Sequence, residues 1–463
     1  MPEGMERPYR VVYSEAVPEA LMPRTVPVVG LLILALAAGC TRSEPSRPAG
    51  AASNESSSRR GKRAGSERTE TEEQAVIAIK KHGARVYRNE QERGQTVVRV
   101  IFVDRGATDE VLKHVGALKS LQELVVGGSQ ITDVGLRALR GAKSLRRLNL
   151  IATQVSDVGM KELNALKNLR ELLLDNTRIT DAGLKELQGL EDLQVLYLGG
   201  TKITGTALRD LKPLHNLRRL SLNSARVSDA GLRELLELQT LRTLDLTNTR
   251  VSDAGLAAVG RLRDLRTLFL GVTQVTDAGL KELRHLKGLR DLSLTGLPVT
   301  DVGLRELGGL QSLRALDLSA THVTDSGLGG LKRLHDLERL QLSSTKVTGG
   351  GFRELRTLDK LASLNLNRSP LSDAGLKEIT KLKGLRELYI HGTHITDAGL
   401  PEIKDLEKLR VLDLFDTGIT DVGLKELAEL KDLKDLTLSR TGLSEKGVES
   451  LRKALPKTNV IVH

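Results

Sequence analysis

Two sets of residues in this 463-residue sequence carry donor atoms at spacings that could do chemistry. The first is His391, His394, Asp413 and Asp416, whose imidazole nitrogens and carboxylate oxygens are ligand types of metal sites. Their spacing follows no specific ligand pattern, and polar residues fringing a binding surface would look the same. The second is an aspartate that returns every 24 residues, as at Asp133, Asp157, Asp181, Asp229, Asp253, Asp277, Asp373 and Asp421. A row of carboxylates invites a calcium reading. Each Asp, however, precedes a Gly-Leu helical start, where it would cap free backbone N–H groups and favour the positive helix end. On that reading Gly205 and Gly349, which replace the Asp, leave two helices less well capped. The sequence has no nucleophile elbow, no Gly-rich phosphate loop with Lys-Ser/Thr, no His-Glu-x-x-His and no cysteine-pair spacing. No catalytic residue, metal or cofactor is therefore assigned, and the chain is expected not to be an enzyme.

The elements that position these residues are themselves repeated. Leu121, Leu145, Leu169, Leu193, Leu217, Leu241, Leu265, Leu289, Leu313, Leu337, Leu361, Leu385, Leu409 and Leu433 fall every 24 residues without insertion or deletion. They begin fourteen units over residues 121–456. One period earlier, Val97 opens a degenerate unit with Val100 and Phe102 at the strand positions, and one period later Lys457 opens a closing strand, 457–463, with Val460 and Val462. Residues 69–120 thus read as an amino-terminal cap plus the degenerate unit, with a short helix near Glu72 to Lys81 and a turn at Gly83. In the unit beginning at Leu169, Leu172 and Leu174 are two apart and point to one side of a short strand, with Leu173 opposite. Leu184 and Leu187, three apart, fit the inner stripe of a short helix.

The unit resembles the leucine-rich-repeat superfamily, whose L-x-x-L-x-L-x-x-N/C-x-L pattern recurs at about 20 to 29 residues. Its I-T-D-x-G-L step is similar to the cysteine-containing, ribonuclease-inhibitor-like subclass, with Thr153, Thr177, Thr201 and Thr249 where that family mostly has Cys or Asn. The resemblance implies an α/β solenoid of horseshoe form, with a parallel ladder on the concave side and helices on the convex side. Thr at the ninth position is then a buried hydroxyl bonded to loop backbone, with Ala225 and Leu297 as exceptions. A solenoid also accounts for so long a chain with only four Phe, five Tyr and no Trp, because each unit packs only on its neighbours.

In such a ladder the fifth and seventh residues of each unit face outward. Most are small or polar, as at Ser221, Asn223, Thr247 and Ser293. Four of the seven Phe and Tyr residues after Glu70 nevertheless stand there: Tyr197, Phe269, Tyr389 and Phe415. The stacking places Tyr389 beside Asp413 and His391 beside Phe415, with His394 and Asp416 on the adjoining loops. Exposed aromatics with polar neighbours have the composition of binding hot spots. These eight residues are the candidate partner-binding site.

The net charge of +11 is mixed along the repeats, as in Arg353-Glu354 and Lys425-Glu426, and aromatics are too few for a base-stacking surface, so nucleic acid is not expected. Arg at the second position, as in Arg218, Arg242, Arg266, Arg290 and Arg314, predicts a basic rim bridged to acids such as Asp264, Asp291 and Asp336. The only cysteine, Cys40, follows the apolar run Val26 to Ala38 and the step Leu36-Ala37-Ala38-Gly39. That run is too short to span a bilayer. It resembles a bacterial lipoprotein signal, which implies a signal peptide over 1–39, a start at Met22 or Met1, and lipidation of Cys40. Residues 40–68 are polar and read as a flexible tether with a reach of about 30 Å. The expectation is a monomeric, lipid-anchored envelope protein that binds a protein or envelope glycan on its concave face. The alternatives are a recognition subunit of an effector or enzyme system and a passive structural envelope protein.

Overall fold

A computed structural model describes residues 71–89, 96–103 and 106–462. Cys40, the apolar run before it and the tether after it lie outside the described residues. Within the unit from Glu67 to His463 the described residues form one sheet of 17 strands. Strand β1 (Ala84–Arg88) runs antiparallel to β2 (Val97–Phe102). From β2 onward each strand pairs in parallel with the next, through β3 (Glu123–Val125) to β17 (Asn459–Ile461). Leu148, Leu172, Leu196 and Leu220 are successive register partners, so the 24-residue period is also the pitch of the ladder.

Each unit supplies aliphatic side chains to one continuous core. In the unit at Leu169 these are Leu169, Leu172, Leu174, Ile179, Leu184, Leu187 and Leu190, all fully buried. Burying a leucine contributes roughly 1.5–3 kcal/mol before chain entropy is set against it. The predicted helix is a single α-turn, Asp181–Leu184, that passes into a 3-10 turn, Lys185–Leu187. Leu173 departs from the alternation. It lies on the outward side of its strand yet is 7% exposed, between register partners Asn149 and Tyr197.

Strands stop after three residues because the eighth position is left-handed in unit after unit. Glycine fills it at Gly128, Gly200 and Gly296, but Asn176, Asn248, Val272, Asp416 and Arg440 hold φ of 55–57° there. The following threonine closes the turn. Thr153, Thr177, Thr249 and Thr417 donate their hydroxyls to the carbonyls of Leu150, Leu174, Leu246 and Leu414 at 2.6–2.7 Å. This is the buried role expected for them.

The aspartate row acts differently from the sequence expectation. The N-caps are the preceding hydroxyls, as where Thr276 accepts from the N–H of Ala278 and Thr180 from that of Ala182. Each Asp instead reaches into the next unit and grips its cap residue. Asp253 accepts from the Thr276 N–H at 2.8 Å and the Thr276 hydroxyl at 2.7 Å. The same pair of bonds joins Asp133 to Ser156, Asp157 to Thr180, Asp229 to Ser252, Asp277 to Thr300, Asp373 to Thr396 and Asp421 to Ser444. The Asp-x-Gly step follows from this, since a Cβ at Gly279 would overlap Asp253 Oδ1. Where Gly205 and Gly349 replace Asp, Ser228 and Ser372 find only the carbonyls of Thr204 and Thr348, at 3.4 and 3.2 Å. Both units also lose the α-turn and keep only the 3-10 turns Leu208–Leu211 and Gly350–Leu355.

The amino end is closed by helix α1 (Glu72–Lys81), which carries the Thr71–Gln74 capping box. Glu72 accepts from the Val97 N–H at 3.0 Å and Arg88 bonds Glu73 at 2.7 Å, which ties the helix to both first strands. Strand β1 was not expected from the sequence.

Candidate recognition surface on the concave ladder

The third, fifth and seventh residues of each unit form the surface of the ladder opposite the core. Asn or Asp at the fifth position has a local task there. Asp245, Asp317, Asn365 and Asp413 accept from the N–H two residues on, at 2.9–3.0 Å, which ends the strand. Where Tyr takes the fifth position that acceptor is missing, and the preceding unit supplies it. Asp175 Oδ1 accepts from the Gly199 N–H at 2.9 Å beside Tyr197, and Asn367 Oδ1 accepts from the His391 N–H at 2.8 Å beside Tyr389.

Tyr389 is paired with Asp413 in register, and the rings of His391 and Phe415 meet at 4.7 Å with a 59° tilt. The stacking inferred from the sequence is therefore the observed one. The Arg440 guanidinium, from the left-handed corner of the next unit, lies 5.4 Å over the Phe415 ring. Burial, with Glu387, Asp413 and Asp435 nearby, pushes the Tyr389 phenol up to about 12. At neutral pH it stays a neutral donor among carboxylates. Burial also pushes the Asp413 carboxyl up, against the lowering by the Phe415 N–H and His391. Asp413 is thus partly occupied with its own turn.

His394 and Asp416 are exposed on the loops, as placed by the sequence. They do not complete a cation site with His391 and Asp413: among the described residues no group of three or more His, Cys, Asp or Glu comes together to hold a metal. Tyr197 and Phe269 are half-buried on the same face but stand apart, at eight and five units from Tyr389. At about 4.8 Å per unit those separations are roughly 38 and 24 Å. Tyr197 is the register partner of the covered Leu173, so it has an apolar neighbour on the outward face. Phe269 lies between Asp245 and Ser293. The compact cluster is Tyr389, His391, Asp413 and Phe415, extended by Asn367, Glu387, Asp435 and Arg440. No single-unit pattern marks those four additions: Asn367 stands 24 residues before His391 and Arg440 24 after Asp416, while Glu387 and Asp435 hold third positions two units apart.

Part of the expected basic rim is tied up. Arg218 donates to the carbonyls of His215 and Thr240, and Arg410 to that of Asp432. Of the acids named for it, Asp291 pairs with Arg339 and Asp336 with Lys360, neither at the second position. Arg314 pairs instead with Glu338.

Residues 177–372 match the model of a leucine-rich repeat region, and residues 117–139 and 406–428 match that of the leucine-rich repeat. These are leucine-rich repeats. The chain is similar to an internalin from Listeria monocytogenes, at 24% identity and a TM-score of 0.56, with 78% of this chain and 93% of that one covered. A leucine-rich-repeat protein of Leptospira interrogans is similar at 25% identity and a TM-score of 0.49, covering 76% of this chain and 87% of that one. Comparison with curated proteins gave no match. The ladder with its convex turns is the fold of a leucine-rich-repeat solenoid, and among the described residues no helix is long and apolar enough to cross a membrane.

Proposed function

We propose that this leucine-rich-repeat protein is a non-catalytic recognition module of the bacterial cell envelope, anchored by a lipid on Cys40 and binding a protein partner through the Tyr389–Phe415 patch. The observation that carries the reading is the stacked His391–Phe415–Arg440 column beside Tyr389, on a ladder whose other outward positions are mostly small or polar. A rigid parallel ladder cannot rearrange to bury these rings further, which leaves their exposed edges open to a second molecule. The neutral Tyr389 hydroxyl among Glu387, Asp413 and Asp435 offers one donor and several acceptors to a polar backbone. Tyr197 and Phe269 give a long partner two further points of contact on the same face. The I-T-D-x-G-L step supports membership of the ribonuclease-inhibitor-like subclass. The anchor reading rests on the Leu36 to Cys40 step, and on that reading radiolabelled palmitate enters the wild type and is absent from Cys40→Ala.

The test of recognition is capture from envelope extract, with partners identified by mass and then bound in purified form. Tyr389→Ala with Phe415→Ala should abolish binding while the melting temperature stays within about 2 °C, since neither ring is in the core. Undiminished binding by the double variant would place the site elsewhere.

A further inference from the structure

The tenth residue of each unit lies on the loop that leaves the ladder. Four consecutive units place a cation there: Arg178, Lys202, Arg226 and Arg250. All four are exposed, and none is in a salt bridge; Arg178 touches only the neutral Gln154 side chain, at 3.2 Å. Their backbones are fixed, because each N–H donates to a carbonyl of the preceding unit: Val155, Ile179, Val227 and, for Arg226, Ile203, at 2.9–3.0 Å. The cations therefore share the pitch of the ladder, about 4.8 Å per step, and span about 14 Å.

Beside them, the eighth positions of the same units are Asn176, Gly200, Ser224 and Asn248, with no acid and no aromatic. The row ends at Gln154 on one side and Gln274 on the other. The aspartates that follow, Asp181, Asp229 and Asp253, are turned into bonds with Thr204, Ser252 and Thr276, and the unit of Lys202 has Gly205 instead. Helix-face cations in the same part of the chain differ. Lys161, Lys185, Arg209 and Arg233 are each followed directly by an acid: Glu162, Glu186, Asp210 and Glu234.

We propose that this rim is a binding track for an acidic polysaccharide that carries a carboxylate on each sugar. The pitch is close to the length of one sugar unit in an extended chain, so successive carboxylates meet successive cations. The adjoining lane of amides and a hydroxyl suits sugar hydroxyl groups, and the lane's lack of aromatic rings does not suit nucleic-acid bases. The track lies on the loop rim, apart from the Tyr389 patch, and does not depend on the function proposed for that patch.

The experiment uses the full chain and polygalacturonate, with neutral dextran as the uncharged control, at low and moderate salt. Two variants remove the same charge: Arg178→Gln, Lys202→Gln, Arg226→Gln and Arg250→Gln together, and Lys161→Gln, Lys185→Gln, Arg209→Gln and Arg233→Gln together. The wild type should bind polygalacturonate and not dextran, with affinity falling as salt rises. The rim variant should lose about tenfold or more and the helix variant less than about twofold, with both retaining the wild-type circular dichroism melt. Equal losses in the two variants would reduce the effect to net charge and overturn the proposal. So would an absence of binding, or rim-dependent binding of oligothymidylate or phosphatidylglycerol vesicles tighter than that of polygalacturonate.

Discussion

Removing Asp253 tests whether the aspartate row couples units or caps helices. Asp253→Ala deletes two charge-assisted hydrogen bonds, to the Thr276 N–H at 2.8 Å and the Thr276 hydroxyl at 2.7 Å. Such bonds contribute about 1.5–3 kcal/mol each when buried, and this pair is partly open to water. The expected loss is therefore about 2–3 kcal/mol, measured by urea unfolding followed by circular dichroism. In a Thr276→Ala background only the backbone bond is left to lose, so the same substitution should cost about 1 kcal/mol less. Thr276 also caps its own helix, through the Ala278 N–H at 3.3 Å, but that loss is common to both arms of the cycle and cancels. Hydrogen exchange should show amides opening on both sides of the Asp253–Thr276 junction, as nearest-neighbour coupling in a solenoid requires. A coupling energy below about 0.3 kcal/mol, with exchange raised only in the helix Asp253–Val259, would refute the clamp and restore the capping role.

Three further outcomes follow from the same geometry. Burial pushes the Asp175 carboxyl up to about 6, so the folded state holds a proton that the unfolded state has already released. The resulting penalty is absent below about pH 3.8, grows as pH rises, and is complete above about pH 6; Asp175→Asn should raise the melting temperature at pH 8 and have no such effect at pH 3.5. Val272 is a β-branched residue at φ 57°, so Val272→Asn should stabilise by about 1 kcal/mol in urea unfolding. Gly205→Asp should destabilise despite restoring the consensus, because φ is +97° there and a Cβ would lie 2.8 Å from Gly231 Cα; a rise in melting temperature would show that the unit can rebuild its α-turn.

The parts of this structure that were legible in the sequence are those with a period. Two-residue spacing at Leu172 and Leu174 gives the strand, three-residue spacing at Leu184 and Leu187 gives the inner helical face, and the 24-residue interval puts Tyr389 beside Asp413 and His391 beside Phe415. Roles that cross from one unit to the next were hidden. Asp253 looks like a cap when only its own helix start is considered, and its partner Thr276 stands 23 residues away. The left-handed corners went unseen because residues as different as Val272, Asp416 and Arg440 occupy them; the ladder's closure, not local preference, imposes that conformation. Arg440 was missed for the same reason, although it completes the Phe415 column. Strand β1 pairs antiparallel outside the repeat, so no period announces it.

The central claim is that a partner covers the outward face of the ladder around Tyr389 and Phe415. Site-specific photocrosslinking in intact cells tests it most directly, with a benzophenone amino acid placed singly at position 389, at 415, and at 158, where the native Val158 is 64% exposed on a helix start. A partner seated there gives one discrete, shared adduct from positions 389 and 415 and none from 158. Adducts from 158 with none from 389 or 415 would contradict it.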